Sequence, residues 1–202
     1  MALSLAKNQT ISLEKTTGNG LTKIRMGLGW DPAQKPKPSG GFFSRLLGGG
    51  ADSDDIDLDA SCIMMDGNKS AIDVVMFSQL KSKDGSITHS GDNLTGEGDG
   101  DDETIFVDLL KLPSAVKYLV FTVNSFRGQT FNEVENAYCR IVDEQAGSEI
   151  ARLTLSEKGN HTGVIMAYLT RTADGWDMTA VGRETNGRTA RDLASEAAGV
   201  LG

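Results

Sequence analysis

The chain has 202 residues, with 28 Asp and Glu against 20 Lys and Arg and a formal net charge of -8. No stretch concentrates Lys and Arg, which excludes a protein that tracks nucleic-acid phosphates and favours a cationic partner. The hydrophobic share of 39% supports one compact domain carrying a polar insertion.

The opening MALSLAKNQTISL alternates apolar and polar residues and lacks the continuous apolar stretch of a secretory leader. No later run approaches bilayer-spanning length, so a cytoplasmic protein that does not span a membrane is expected. In chain order, ISLEK, LTKIRMGLGW, IDLDASCIMM, AIDVVMFSQL, TIFVDLLKL, VKYLVFTVNSF, AYCRIVDE, IARLTL, GVIMAYLTRT and WDMTAVGRE read as strands. They are short, rich in Val, Ile, Thr and aromatics, and several alternate with period two. Turn residues such as Asp66-Gly67-Asn68, Asp84-Gly85 and Asp174-Gly175 separate them. The expected fold is mainly all-β: a β-sandwich of two antiparallel sheets, few short helices, and one C-terminal helix in TARDLASEAAGVLG ending near Gly199.

Residues 31–51 hold three of the four prolines and five glycines, which rules out a core strand and predicts an exposed, flexible insertion. Phe42, Phe43, Leu46 and Leu47 surround Arg45 there; they suit either docking to another protein or folding back on their own domain. Cys62 and Cys139 lie in separate strand-like runs and read as reduced, buried thiols. His89, alone in SITHSGD, reads as a strand-end surface residue.

Two acidic segments carry the chemistry. Gly91–Glu103, GDNLTGEGDGDDE, packs six carboxylates and four glycines into thirteen residues with no positive charge. Glycine lets such a loop curl so that its carboxylates converge, and convergent carboxylates repel unless a cation lies between them. Upstream, Asp57 and Asp59 are two apart on a predicted strand, on one face and roughly 6 to 7 Å apart, with the Leu58 carbonyl between them. Asp55, Asp57, Asp59 and Asp66 mimic EF-hand spacing, but Ala60 stands where the turn needs glycine and Asp66 where a bidentate glutamate belongs. A site shared by two loops or strand ends is expected instead. Its second half would be Asp92, Asn93, Thr95, Glu97, Asp99, Asp101, Asp102 and Glu103, with Asp99 equally suited to plain solvation and one of Asp101, Asp102 and Glu103 to a cap or turn. So crowded an oxygen site favours calcium over magnesium, and its charge points to two ions.

DLDAS (57–61), GDNLTGEGDGDDE, VFTVNSF and TFNEVENAYCRIVD, in that order, resemble the TerD family of tellurium-resistance and stress-response proteins. The resemblance spans nearly the whole chain and implies a cytoplasmic calcium-binding β-sandwich without an established catalytic activity. It implies ligation by Asp57, the Leu58 carbonyl and Asp59 with Asp92, Asn93, Thr95, Glu97 and the Asp101, Asp102 and Glu103 cluster. The insertion departs from short family members and is the expected contact for protein partners of a stress-response complex.

Two other classes stay open. A magnesium- or manganese-dependent phosphoryl-transfer or hydrolytic enzyme would use the same carboxylates, but it also needs a positive group, and a base or nucleophile. Only His89 stands near. A small-molecule or nucleotide sensor could use Arg183, Arg188 and Arg191, although GRETNG lacks a phosphate-loop pattern.

Overall fold

Period-two alternation forms strands wherever one face can be buried, and the computed structural model describes residues 2–18, 20–32, 57–93, 100–155 and 158–202. The strands are β1 (Leu3–Ser4), β2 (Thr10–Ser12), β3 (Lys23–Pro32), β4 (Leu58–Met65), β5 (Ala71–Val75), β6 (Ile87–His89), β7 (Glu103–Asp108), β8 (Tyr118–Ser125), β9 (Val134–Asp143), β10 (Ser148–Thr154), β11 (Gly163–Arg171) and β12 (Trp176–Thr185). Helices α1 (Leu13–Thr17) and α2 (Ala194–Val200) and a short 3-10 turn at Phe131–Glu133 complete the described elements. No described helix is long and apolar enough to cross a membrane.

The strands make two six-stranded sheets, a first in the order β1-β10-β9-β3-β7-β6 and a second in the order β2-β12-β11-β8-β4-β5. The expected sandwich is therefore present, with one departure: β1 joins β10 in parallel. Met26, Leu28 and Trp30 of β3 and Ile141 of β9 meet Leu58, Ala60, Cys62 and Met64 of β4 and Phe121 and Val123 of β8 in the interior. Cys62 and Cys139 are buried free thiols, and burial pushes both up, Cys139 to about 12.

Alternation places the remaining β4 and β8 residues on the outer face of the second sheet. Ile63 and Met65 of β4, Val120 of β8 and Ile165 of β11 form a second apolar layer there. It is covered by Ala190, Leu193, Ala197 and Leu201 from the C-terminal segment. That segment is helical over a shorter stretch than its composition predicts, because Asp192 accepts from the Thr189 N–H and hydroxyl at 3.0 and 2.9 Å and holds a turn before α2. ISLEK likewise divides. The Ser12 hydroxyl accepts from the Lys15 N–H, starting α1, and Gly18 closes that helix at φ 71°. Of the 31–51 insertion, Asp31 and Pro32 end β3, and Phe42, Phe43, Leu46 and Leu47 lie outside the described residues.

Candidate metal centre

The site grows from a mismatch in strand length. β5 pairs with β4 only from Cys62 to Met65, so among the described residues the first residues of β4 have no neighbouring strand on that edge. The Ala60 N–H donates instead to Glu103 Oε2 at 2.6 Å, and the Ala60 carbonyl accepts from His89 Nε2 at 3.1 Å. Both partners come from the first sheet, and Glu103 is fully buried. Its Oε1 accepts from the Asn93 N–H at 3.1 Å, which fixes the start of the acidic loop. His89 is only 3% exposed, not the surface residue expected. Burial lowers its basicity, but the Glu103 carboxylate 3.3 Å away, the Ala60 carbonyl and the Asp59 charge together outweigh it and leave the imidazole more basic than usual. The Gly91 N–H donates to His89 Nδ1 at 3.0 Å, which assigns the ring's proton to Nε2 in this arrangement. The signal for burial was present in the sequence, since Ile87 and His89 share a face of β6.

Beside this seam, Asp57, Asp59 and Asp92 each bring one carboxylate oxygen to within 4.8 Å of the others. Leu58 and Ala60 anchor the strand in the interior, and alternation sends Asp57 and Asp59 to the opposite face, as their spacing predicts. The pleat turns the Leu58 carbonyl to the same open edge as that of Ala60. Asp57 and Asp59 are 6% and 3% exposed, whereas Asp92 is exposed. Asp57 Oδ1 and Asp59 Oδ2 are buried with no hydrogen-bond donor among the described residues.

Burial raises the Asp57 carboxyl, partly offset by Arg127, whose Nε lies 3.0 Å from Oδ2. Burial first, then the charges of Glu103, Asp57 and Asp92, push Asp59 up to about 8. Acidic groups thus converge on two buried carboxyls, an arrangement that a positive charge would stabilise. Hard oxygens of this kind, carboxylate and carbonyl, fit a calcium-type cation that takes roughly six to eight of them. Arg127 was not legible, because only the return of β8 beside β4 brings it to Asp57.

The other expected ligands are distributed differently. Asp102 Oδ2 accepts from the Trp30 N–H at 2.8 Å, extending the β3–β7 ladder, and its Oδ1 accepts from Asn93 Nδ2 at 3.2 Å. Burial raises its carboxyl. Asp102, Asn93 and Glu103 therefore tie the two ends of the acidic loop together behind the three convergent carboxylates.

Asp101 turns away. Arg140 grips it from Nε at 2.7 Å and Nη2 at 2.9 Å, and the Tyr138 hydroxyl donates to it at 3.1 Å. Its carboxylate occupies the space over Gly27, where a Cβ would lie 2.1 Å from Asp101 Oδ2. Thr95, Glu97 and Asp99 lie outside the described residues.

Comparison with known proteins agrees with this architecture. The TerD domain matches residues 1–196. Tellurium resistance protein TerZ of Serratia marcescens is 53% identical, with 96% of each chain covered. Stress response protein SCP2 of Bacillus subtilis (strain 168) is 42% identical over 96% of this chain and 98% of its own. Among solved structures, a homologue of telluride resistance protein (TerD) from Streptomyces coelicolor A3(2) superposes with a TM-score of 0.67 at 22% identity, covering 89% of this chain and 98% of that one. With its sandwich, its paired acidic segments and this full-length likeness, the chain belongs to the TerD-domain family of tellurium-resistance and stress-response proteins.

Proposed function

We propose that the protein is a non-catalytic, cytoplasmic calcium-binding member of a stress-response system, acting as a sensor or scaffold. The observation that carries this reading is the convergence of Asp57, Asp59 and Asp92, with buried oxygens on Asp57 and Asp59 that no donor among the described residues satisfies. One ion draws on these three side chains and the Leu58 carbonyl. A second ion would draw on the acidic loop beyond Asn93. Binding neutralises repelling carboxylates and draws the exposed Asp92 onto β4, so occupancy and loop order are linked. The names of the relatives support the stress-response role.

Two features support a non-catalytic role. Both ring nitrogens of His89 are engaged by main-chain or carboxylate partners, and both cysteines are buried thiols with raised pKa. No described nucleophile with an adjacent base faces the carboxylates.

Calorimetric titration of chelator-stripped protein with calcium and, separately, magnesium tests the reading. Calcium-selective binding, weakened in both Asp57→Ala and Asp92→Ala, is expected. Preference for magnesium, or binding indifferent to both substitutions, would overturn it and turn attention to the metal-dependent enzyme.

A further inference from the structure

Asp59 has a neighbour that the acidic segments do not contain. Asn124 of β8 is its register partner, and the alternation that sends Val123 into the interior puts Asn124 on the outer face with Asp59. Directly paired residues on one face of an antiparallel ladder stand about 4.5 to 5.5 Å apart. Asn124 is 1% exposed, and its Oδ1 is buried with no hydrogen-bond partner among the described residues. Its Nδ2 donates to the Arg188 carbonyl at 2.6 Å. Because a carbonyl only accepts, that bond fixes the orientation of the amide and leaves Oδ1 on its other side. The next residue across the sheet is Gly163, paired with both Asn124 and Thr185.

The end of β8 makes a second link. Arg188 Nη2 donates to the Phe126 carbonyl at 3.2 Å, and the following residue, Arg127, pairs with Asp57. The stretch 124–127 thus holds the acidic site on one side and the entry to the C-terminal segment on the other. Past Arg188, Ala190, Leu193, Ala197 and Leu201 cover the apolar outer face formed by Ile63, Met65, Val120 and Ile165.

We propose that Asn124 joins the cation site to the C-terminal cover: its Oδ1 is a neutral ligand beside Asp59, while its Nδ2 holds the Arg188 carbonyl, so that calcium binding and docking of residues 188–201 strengthen each other. The inference rests on the calcium reading above. A cation at Oδ1 polarises the amide and strengthens the N–H donor on its other end, and it holds the amide in the orientation that Arg188 requires. Coupling is reciprocal, so anything that loosens the cover weakens calcium by the same factor. The cation state of an edge site is thereby transmitted to an apolar surface on the same sheet.

Hydrogen exchange of the full chain in calcium chloride and in chelator, read by peptide and accompanied by calorimetry, tests this. Calcium should slow exchange in residues 188–201 by about fivefold or more as well as protecting 57–65. Asn124→Asp keeps an oxygen for the ion but loses the donor. It should still bind calcium and protect 57–65, with the response of 188–201 gone; Asn124→Ala should lose that response and bind more weakly. Calcium that protects 57–65 in the wild-type chain but leaves 188–201 unchanged would overturn the coupling while leaving the site intact. A C-terminal response that persists in Asn124→Asp would also overturn it. Absence of calcium heat in the wild-type chain would overturn both readings together.

Discussion

At Asp59, burial and the charges of Glu103, Asp57 and Asp92 oppose ionisation, so its carboxylate is costly to the fold on its own, and the proposed cation would offset that cost. Asp59→Asn removes that charge at nearly constant shape. It should weaken calcium by about tenfold or more in calorimetry, yet leave the melting temperature in chelator unchanged or higher. A variant that binds calcium normally would remove Asp59 from the site. Arg127, 3.0 Å from Asp57 and half exposed, would compete with the proposed cation for the same carboxylate. Arg127→Gln should therefore tighten calcium severalfold, and weaker binding would show that the guanidinium shapes the site instead of competing for it. The carboxylate pair on β4 was readable because two residues of one strand share a face. Arg127 and Asn124 were not, because each reaches the site through pairing between strands far apart in sequence.

At the scale of elements, Glu103 is the seam between the two sheets, accepting from Ala60 and Asn93 and lying against His89. Glu103→Ala leaves two N–H groups and an imidazole without that carboxylate. It should cost about 3 kcal/mol in urea denaturation in chelator, more than removal of a surface carboxylate. A loss below about 1 kcal/mol would mean that water replaces it. Most of the long strands were legible, since alternation of apolar residues marks β3, β4, β8, β11 and β12. The short elements β1, β6 and α1 carry too few residues to show a period, and their pairing or caps decide them. The acidic loop was legible as a unit, but its division of labour was not. Asp101, Asp102 and Glu103 are consecutive, yet one is gripped by Arg140, one completes a ladder at Trp30 and one enters the interior. Only partners remote in sequence distinguish them.

Across the whole molecule, stability towards acid rests partly on carboxylates far from the candidate centre. Burial raises Asp73, but hydrogen bonds from the Lys83 N–H, Gln79 and the Val74 N–H outweigh it and hold the carboxyl below its ordinary 3.8. Glu149, held by Arg152 and Arg140, lies below its ordinary 4.5. A carboxyl depressed on folding contributes stability above its unfolded value and loses it as pH falls through the folded one. Urea midpoints of the wild-type chain should therefore fall below about pH 4.5, and Asp73→Asn and Glu149→Gln should each make that acid limb shallower. An unaltered slope would assign the limb to other carboxylates. The short β5 has a different consequence. A strand that outruns its neighbour leaves bare main-chain donors and acceptors on which another chain can add a strand. Glu103 and His89 occupy the Ala60 groups that such a strand would need, so the seam that frames the acidic site also guards the molecule against self-templated aggregation.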